Sequence, residues 1–266
     1  EQAEYQINDR LSFQKFLGIT LSDAVPDEKT IWLFRETLSE AGRVKKLFRR
    51  FERRLSQAGL MGHEGKIIDA SFVDVPRQRN SREENEEIKL GKVPESFQEN
   101  GNRLRQKDVE ARWAKKGEEV HYGYKDHVKV DRTTKLIEDY EVTDASVHDS
   151  QAVEDLVEED DGTLHADSAY SGEKIETILK ENGVKGEICE KGYRNHPLTE
   201  KQKKSNRKKS RIRARVEHIF GFMTNTMRDG LKMRWIGMRR IAVGIGLLNL
   251  VYNMARYEQI MRLKLA

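Results

Sequence analysis

The sequence is poor in three features that would otherwise narrow its class. Among its 266 residues there is one cysteine, Cys189. A single thiol excludes an internal disulfide and a zinc site built on cysteines, and it fits a reducing cytoplasm. The longest apolar run, at 241–251, is too short to cross a bilayer. No signal-peptide pattern opens the sequence. These absences favour a cytoplasmic globular protein with a buried core and no membrane partner.

Acidic residues are also missing from one stretch of an otherwise highly charged chain. Residues 201–215 contain nine lysines or arginines and no acid, whereas 154–161 is mostly acidic and the net charge is only +4. A local basic block suggests a polyanionic partner, because phosphate neutralisation supplies most of the non-specific affinity for nucleic acids. Such runs are also a common form of solvated surface. Composition alone leaves both interpretations open.

The first 60 residues have the spacing of helices. Ile31, Phe34 and Leu38 recur at helical intervals after a candidate N-cap at Asp27, and a second stripe begins at Val44. This pattern predicts a helical module that contacts DNA or packs against another copy of the chain. The first residues already have the pattern of a helix interior and lack a methionine, so we expect a preceding segment to be missing.

From residue 65 onward the pattern changes to short apolar runs typical of strands. The run at 65–76 predicts a central strand buried on both faces. The runs at 121–131 and 136–146 are separated by 132–135, which predicts a hairpin. This order predicts a mixed α/β sheet flanked by helices. Further strands are expected at 162–170 and 185–191, helices at 149–158, 171–183, 208–228 and 238–263, and a polar insertion of loop or partial helix at 77–112.

Three acidic residues lie in or beside elements that are expected to be buried, where a carboxylate needs a cationic partner. Asp69 lies inside the first apolar strand, Asp167 at the end of a later strand, and Glu217 on the helix that follows the basic block. Burying a carboxylate is costly unless it is paired or binds a metal. A single such acid would suggest an ion pair, but three together favour oxygen ligands for Mg²⁺ or Mn²⁺. Arg213, one turn before Glu217, is expected to pair with it or to bind a phosphate.

Five segments carry a resemblance to a known family. In order they are GKIIDASFVDVP, KKGEEVHYGYKDHVKVD, TDASVHDSQ, LHADSAYSG and RIRARVEHIFGF. Together they resemble the signatures of DDE transposases from bacterial insertion sequences, most closely the branch typified by insertion sequence five. The resemblance covers about residues 10–255. It implies a five-stranded ribonuclease H-like domain at 61–230, preceded by the helical module at 1–60 and followed by a C-terminal helix at 231–266.

The resemblance also implies an activity and its partners. Family members cut and join double-stranded DNA, at the terminal inverted repeats of the element and in a target, with Mg²⁺. A homodimer or higher oligomer on the DNA is expected. Asp69, Asp167 and Glu217 match the three catalytic, metal-binding acids, Arg213 matches an arginine that precedes the glutamate, and Tyr170 matches a tyrosine that follows the second acid.

The chain departs from the family at one position of this helix. Seven residues after Glu217 the family usually has a lysine or arginine, whereas this chain has Thr224, and Arg228 is the expected substitute. The residues expected to contact DNA are Lys125, Tyr170, Lys208, Lys209, Arg211, Arg213, Arg215 and Arg228.

The sequence leaves more than one interpretation open for two histidines, two tryptophans and the overall function. His121 and His127 share one face of a strand and could bind a metal, although core packing beside the first acid or a DNA contact is the simpler interpretation. Trp113 and Trp235 could stack on DNA bases or be buried. A transposase-derived DNA-binding protein without catalysis, and a nuclease on the same fold, are the alternatives to a transposase.

Overall fold

A computed structural model describes residues 2–62, 65–159, 161–194, 196–227 and 230–264. Within these residues a six-stranded mixed sheet is flanked by helices, which confirms the predicted α/β class. None of the described helices is long and apolar enough to span a membrane. The strands are β1 (Lys66–Asp74), β2 (Arg112–Lys116), β3 (Glu119–Asp131), β4 (Ile137–Asp144), β5 (Thr163–Ala166) and β6 (Lys185–Ile188).

The helices fall into an N-terminal group, an insertion and a group that covers the sheet. The N-terminal group is α1 (Gln2–Asp9), α2 (Leu11–Leu17), α3 (Glu28–Glu40) and α4 (Val44–Gln57), and the insertion holds α5 (Arg82–Lys89), α6 (Glu95–Gln98) and α7 (Gly101–Gln106). The remaining helices are α8 (Val153–Leu156), α9 (Glu173–Glu181), α10 (Glu200–Asn225) and α11 (Met238–Leu263). The division of the chain at residues 60 and 230 stays a prediction.

The sheet joins an antiparallel half to a parallel half. β1 pairs with β3, and β3 with β4, in antiparallel fashion, whereas the pairs β1-β5 and β5-β6 are parallel. The resulting order β4-β3-β1-β5-β6 corresponds to the five strands expected from the sequence. β1 is therefore a central strand, and its first four residues are buried, as its apolar run predicts.

The sixth strand, β2, corrects the sequence-based count of five. It pairs antiparallel with the start of β3 across a two-residue turn at Gly117 and Glu118. Gly117 has a φ of 62°, as the first position of such a hairpin turn requires. The insertion before β2 is partly helical, as expected, and is tied to the sheet by the buried Asp108, which accepts a hydrogen bond from Tyr124 Oη at 2.8 Å.

The two faces of the sheet are covered by different helices. Ile67 belongs to the core that includes Val216 and Ile219 of α10, whereas the next residue, Ile68, belongs to the core formed with α8 and α9. Val216 and Ile219, together with Met223, form the buried face of α10. Since side chains alternate along a strand, Asp69 faces the same side as Ile67, toward α10.

Helix α11 lies between the N-terminal helices and the sheet. Its close packing depends on two glycines, since a Cβ atom on Gly246 would come within 2.3 Å of Tyr140 Oη and one on Gly244 within 2.0 Å of the Trp235 ring. On the other side, Arg240 of α11 pairs with Glu36 of α3 at 2.9 Å. The predicted cap of α3 is also present, because the Asp27 side chain accepts a hydrogen bond from the Thr30 N–H.

Candidate active site

The parallel pairing of β1 with β5 brings two of the predicted acids together. The Cα partners Lys66–Leu164 and Ile67–His165 are each separated by 98 residues, which is 164 minus 66 and 165 minus 67. Continuing this register by two residues places Asp69 opposite Asp167, just beyond the last pair of β5. Because side chains alternate between the two faces of a sheet, Asp69 lies on the same face as Ile67, and so does Asp167 opposite it. This is the face covered by α10.

Asp69 is the buried member of this pair. It is 7 % exposed, and its Oδ1 atom accepts a hydrogen bond from the Ala70 N–H at 2.9 Å. Burial raises the pKa of the Asp69 carboxyl above its usual value, and the charge of Asp167 adds to this effect, while Arg213 and the Ala70 N–H oppose it. An effect of Asp167 on the pKa of Asp69 is expected when two carboxylates lie close together.

Asp167 terminates β5 and begins the next turn. Its Oδ1 atom accepts a hydrogen bond from the Ala169 N–H at 2.7 Å, which caps the 3-10 turn Ser168–Tyr170. This cap orients one carboxylate oxygen through the backbone and leaves Oδ2 available for a ligand. The position after a short strand therefore makes Asp167 both a structural cap and a candidate metal ligand.

Arg213 of α10 joins two of the three acids. Its Nη1 donates to Asp69 Oδ2 at 2.7 Å and its Nη2 donates to Glu217 Oε1 at 3.2 Å. Burial alone would lower the pKa of Arg213, but the carboxylates of Asp69, Asp167 and Glu217 raise it. The sequence predicts the pair with Glu217 from helical spacing, whereas the stronger pair with Asp69 depends on how α10 packs on the sheet.

The donor chemistry of the site fits a divalent cation, but the side chains are not gathered around one. Asp69, Asp167 and Glu217 offer only oxygen atoms, as Mg²⁺ and Mn²⁺ prefer. The Glu217 side chain is 61 % exposed and is held by Arg213. Among the described residues no three His, Cys, Asp or Glu side chains are grouped closely enough to hold a metal ion. In this conformation the guanidinium of Arg213 supplies the positive charge between Asp69 and Glu217.

Tyr170 lies behind the acids rather than at the surface. Its ring is fully buried and its hydroxyl has no hydrogen-bond partner among the described residues. Burial raises the pKa of Tyr170 well above its usual value, and the charges of Asp69, Asp149 and Asp167 raise it further. Tyr170 is therefore enclosed by the protein in this structure, and its role as a DNA contact stays a prediction.

Lys125 is likewise engaged inside the protein. Its Nζ donates to Asp149 Oδ1 and to the Val147 carbonyl, both at 2.7 Å, and the residue is 8 % exposed. The same ammonium lies 5.1 Å from the centre of the Phe72 ring. Lys125 therefore connects β3 to the segment before α8, a contact that no local pattern in the sequence predicts.

The basic block forms the first half of α10 and exposes part of its charge. A capping box between Thr199 and Gln202 begins this helix at Glu200, eight residues before the predicted start at 208. Lys208, Arg211 and Arg215 are exposed. Two cations are partly engaged, since Lys209 Nζ donates to the Ile188 carbonyl at 2.7 Å and Arg215 Nη1 to the Arg132 carbonyl at 2.6 Å. Arg228 lies outside the described residues.

The histidines and tryptophans singled out in the sequence have separate environments. His121 contacts Asp74 Oδ1 at 3.2 Å and stacks on Phe72, whereas His127 is fully buried against the Thr143 hydroxyl at 2.8 Å. Burial lowers the pKa of His127 to about 4, so the ring is neutral. Trp113 is half exposed under the Arg77 guanidinium, and Trp235 packs on α11.

The fold is therefore a mixed α/β sheet that brings Asp69 of β1 opposite Asp167, which directly follows β5. Residues 61–254 match the family model of the transposase DDE domain, and residues 1–37 match that of a second transposase domain, DUF772. The chain therefore belongs to the DDE transposases, enzymes that cleave DNA and transfer its strands, and that typically use divalent metal ions.

The chain is also similar to a solved structure, the crystal structure of a pre-cleavage Mos1 transpososome. The match covers 97 % of this chain and 75 % of that chain at 10 % sequence identity, with a TM-score of 0.28.

Proposed function

We propose that this transposase uses Asp69, Asp167 and Glu217 to hold Mg²⁺ or Mn²⁺ while it cuts DNA at the ends of an insertion sequence and joins them to a target. The observation that carries the proposal is the register of β1 and β5, which sets Asp69 and Asp167 side by side under α10. Two carboxylates from adjacent strands, with a third acid on the covering helix, are the donor set that such an ion needs.

A divalent cation, when bound, would polarise the phosphodiester and activate the attacking oxygen. The protein's own part is to orient the ligands and bind the substrate. The Ala70 N–H group holds one oxygen of Asp69, and the Ala169 N–H group holds one oxygen of Asp167. Glu217 is exposed and on a helix face, so its carboxylate can turn toward the other two. Arg213, once released from the carboxylates, presents two N–H donors to a phosphate.

The proposed reaction has two steps. Water attacks the phosphodiester at the element end, the P–O3′ bond breaks, and a 3′-hydroxyl is released. That hydroxyl then attacks a phosphodiester of the target, which forms a new P–O3′ bond and releases the target's own 3′-hydroxyl. If its substrate is a bacterial insertion sequence, the enzyme acts in the cytoplasm of a prokaryotic cell, at the nucleoid.

A strand-transfer assay with element-end duplex and Mg²⁺ tests the proposal. Wild type is expected to give joined product, whereas Asp167→Asn should bind the duplex but form neither cleaved nor joined DNA. The control is Asp155→Asn, which removes one exposed carboxylate of α8 and should leave the reaction intact. Cleavage without joining would support a nuclease, and binding without cleavage by wild type would support a DNA-binding protein.

The N-terminal helices support the proposal that the enzyme acts as a homodimer or higher oligomer. These helices and the segment between α2 and α3 expose large apolar side chains, and a large exposed apolar surface is typical of sites where proteins interact. Light scattering of the chain with and without DNA would check it, and a strictly monomeric complex at saturating DNA would contradict it. The exposed side chains are Tyr5, Leu11, Phe16, Leu17, Leu21, Trp32, Leu33 and Phe34.

A further inference from the structure

Cations from three separate elements converge on the turn that joins β3 to β4. The turn itself, 132–135, carries Arg132 and Lys135. Arg215 of α10 donates from Nη1 to the Arg132 carbonyl at 2.6 Å, and Arg256 of α11 donates from Nε to the Thr134 carbonyl at 2.7 Å. We call these four side chains, Arg132, Lys135, Arg215 and Arg256, the turn cluster.

The turn cluster has no carboxylate partner in the part of the chain that the structure describes. Among the residues that the structure describes, none of its four cations lies within 4 Å of an acidic side chain. The nearest acid in sequence, Asp131, is fully buried, accepts the N–H groups of Thr133 and Thr134, and faces Lys66 at 3.9 Å. No carboxylate of the described residues therefore compensates the positive charge of the cluster.

The conformation of the turn holds the cations in place. Lys135 has a φ of 63°, the left-handed conformation, and its carbonyl accepts the Tyr252 hydroxyl at 2.9 Å. Arg132 passes over Gly65, where a Cβ atom would lie 3.1 Å from the Arg132 Nε. Burial lowers the pKa of Lys135, and the charges of Arg256 and Arg215 lower it further. Mutual repulsion of this kind is relieved when an anion binds.

A groove opens beside the cluster. It has a volume of about 490 Å³, and its lining includes Lys135, Arg256, His218 and Arg262. The one acid among its lining residues, Glu258, is already paired with Arg262 at 3.1 Å. Such a surface favours an anion that is extended and highly charged.

The position of the cluster relative to the acids favours the DNA backbone. Lys66 at the start of β1 is the Cα partner of Asp131, which precedes the turn. Asp69 lies three residues further along β1, about 10 Å at the usual rise of a strand. A duplex whose phosphodiester reaches Asp69 and Asp167 can therefore place neighbouring phosphates over the turn.

We propose that the turn cluster is a DNA-phosphate docking site that holds the duplex beside the catalytic acids. This inference rests on the proposed function for the identity of the polyanion. It extends the DNA surface beyond the basic block of α10, because Arg132, Lys135 and Arg256 lie on other elements. Sequence patterns do not reveal the site, since its members are up to 124 residues apart, 132 to 256.

Salt-dependent binding of a fluorescent duplex by the full chain tests the proposal. The probe is an arbitrary duplex of about 30 base pairs, followed by anisotropy between about 0.05 and 0.2 M salt. Lys135→Gln and Arg256→Gln should each reduce the slope of log affinity against log salt by about 0.9, and weaken binding about eightfold at 0.1 M salt, the contribution of one phosphate contact. Lys180→Gln, an exposed lysine on the opposite face, is the control and should change neither.

An unchanged slope in Lys135→Gln overturns the proposal, because the Nζ of Lys135 makes no hydrogen bond within the described residues and its loss does not disturb the turn. Arg256→Gln also loses the bond to Thr134, so its melting temperature is measured alongside. The two proposals can fail separately. If wild type binds DNA with the expected slope but shows no metal-dependent cleavage, only the proposed function fails. If cleavage occurs and the variants bind like wild type, only the docking site fails.

Discussion

Replacing Arg213 by glutamine would show whether the guanidinium competes with a divalent cation for the acids. In the structure Arg213 holds Asp69 at 2.7 Å and Glu217 at 3.2 Å. A cation that binds these carboxylates must take over at least one of those contacts. We therefore expect the Arg213→Gln variant, without DNA, to bind Mn²⁺ more tightly than wild type.

The size of the effect is set mainly by Asp69. The pair with Glu217 is an i,i+4 contact with a 61 % exposed partner, and such pairs contribute only about 0.3–0.5 kcal/mol. The pair with Asp69 has side chains 24 % and 10 % exposed, and a charge-assisted hydrogen bond there contributes about 1.5–3 kcal/mol. If Mn²⁺ no longer has to replace contacts of Arg213 that contribute about 2 kcal/mol, its dissociation constant falls about 30-fold.

Electron paramagnetic resonance of free Mn²⁺, titrated with each protein, measures this constant directly. Arg213→Lys keeps the charge and should bind Mn²⁺ much as wild type does. Thermal unfolding adds a second measure, because Asp69 left buried without its cationic partner should lower the melting temperature, and added Mn²⁺ should restore it. Mn²⁺ binding by Arg213→Gln that equals or falls below that of wild type would refute the competition.

Two further predictions concern buried acids outside the site. Burial raises the pKa of Asp126 from 3.8 to about 7, although its Oδ1 accepts a hydrogen bond from Asn249. The stability associated with neutral Asp126 is full below pH 3.8 and is lost as the pH rises through 7, by about 4 kcal/mol at about 1.4 kcal/mol per pH unit. Asp126→Asn should therefore raise the free energy of unfolding at pH 8, measured with urea, by an amount of this order. If the free energies of unfolding of the variant and wild type change in parallel with pH, Asp126 does not have a raised pKa. Asp108→Ala should lower the free energy of unfolding by about 3 kcal/mol, because Tyr124 Oη and the Ala111 and Gly237 N–H groups lose their acceptor; a urea midpoint equal to that of wild type would contradict this.

Local patterns predicted most of the elements. The cap at Asp27 and the five main strands follow from spacing and residue type, which act within a few residues of chain. The sixth strand was missed because its hairpin signal is a single Gly117 within a highly charged stretch. The start of α10 was placed late because its first turns carry charge rather than an apolar stripe.

The candidate site was predictable in part. Residue type and position on strands or a helix singled out Asp69, Asp167 and Glu217, and helical spacing suggested the pair of Arg213 with Glu217. Burial of Lys125 and Tyr170 was not predictable, since each is enclosed by residues from other elements. Tyr170 was included among the DNA contacts from family resemblance and Lys125 from its charge, and neither carries information on exposure in this chain.

The sequence by itself determined which residues could form helices and strands and which acids were costly to bury. Those properties depend on side-chain chemistry and on the periods of helix and strand. Only the tertiary structure decided that Asp69 meets Asp167 across a 98-residue separation, that Arg213 holds Asp69, and that four cations converge on one turn. Such contacts depend on strand register and helix docking, which are set by packing between distant segments rather than by any local pattern.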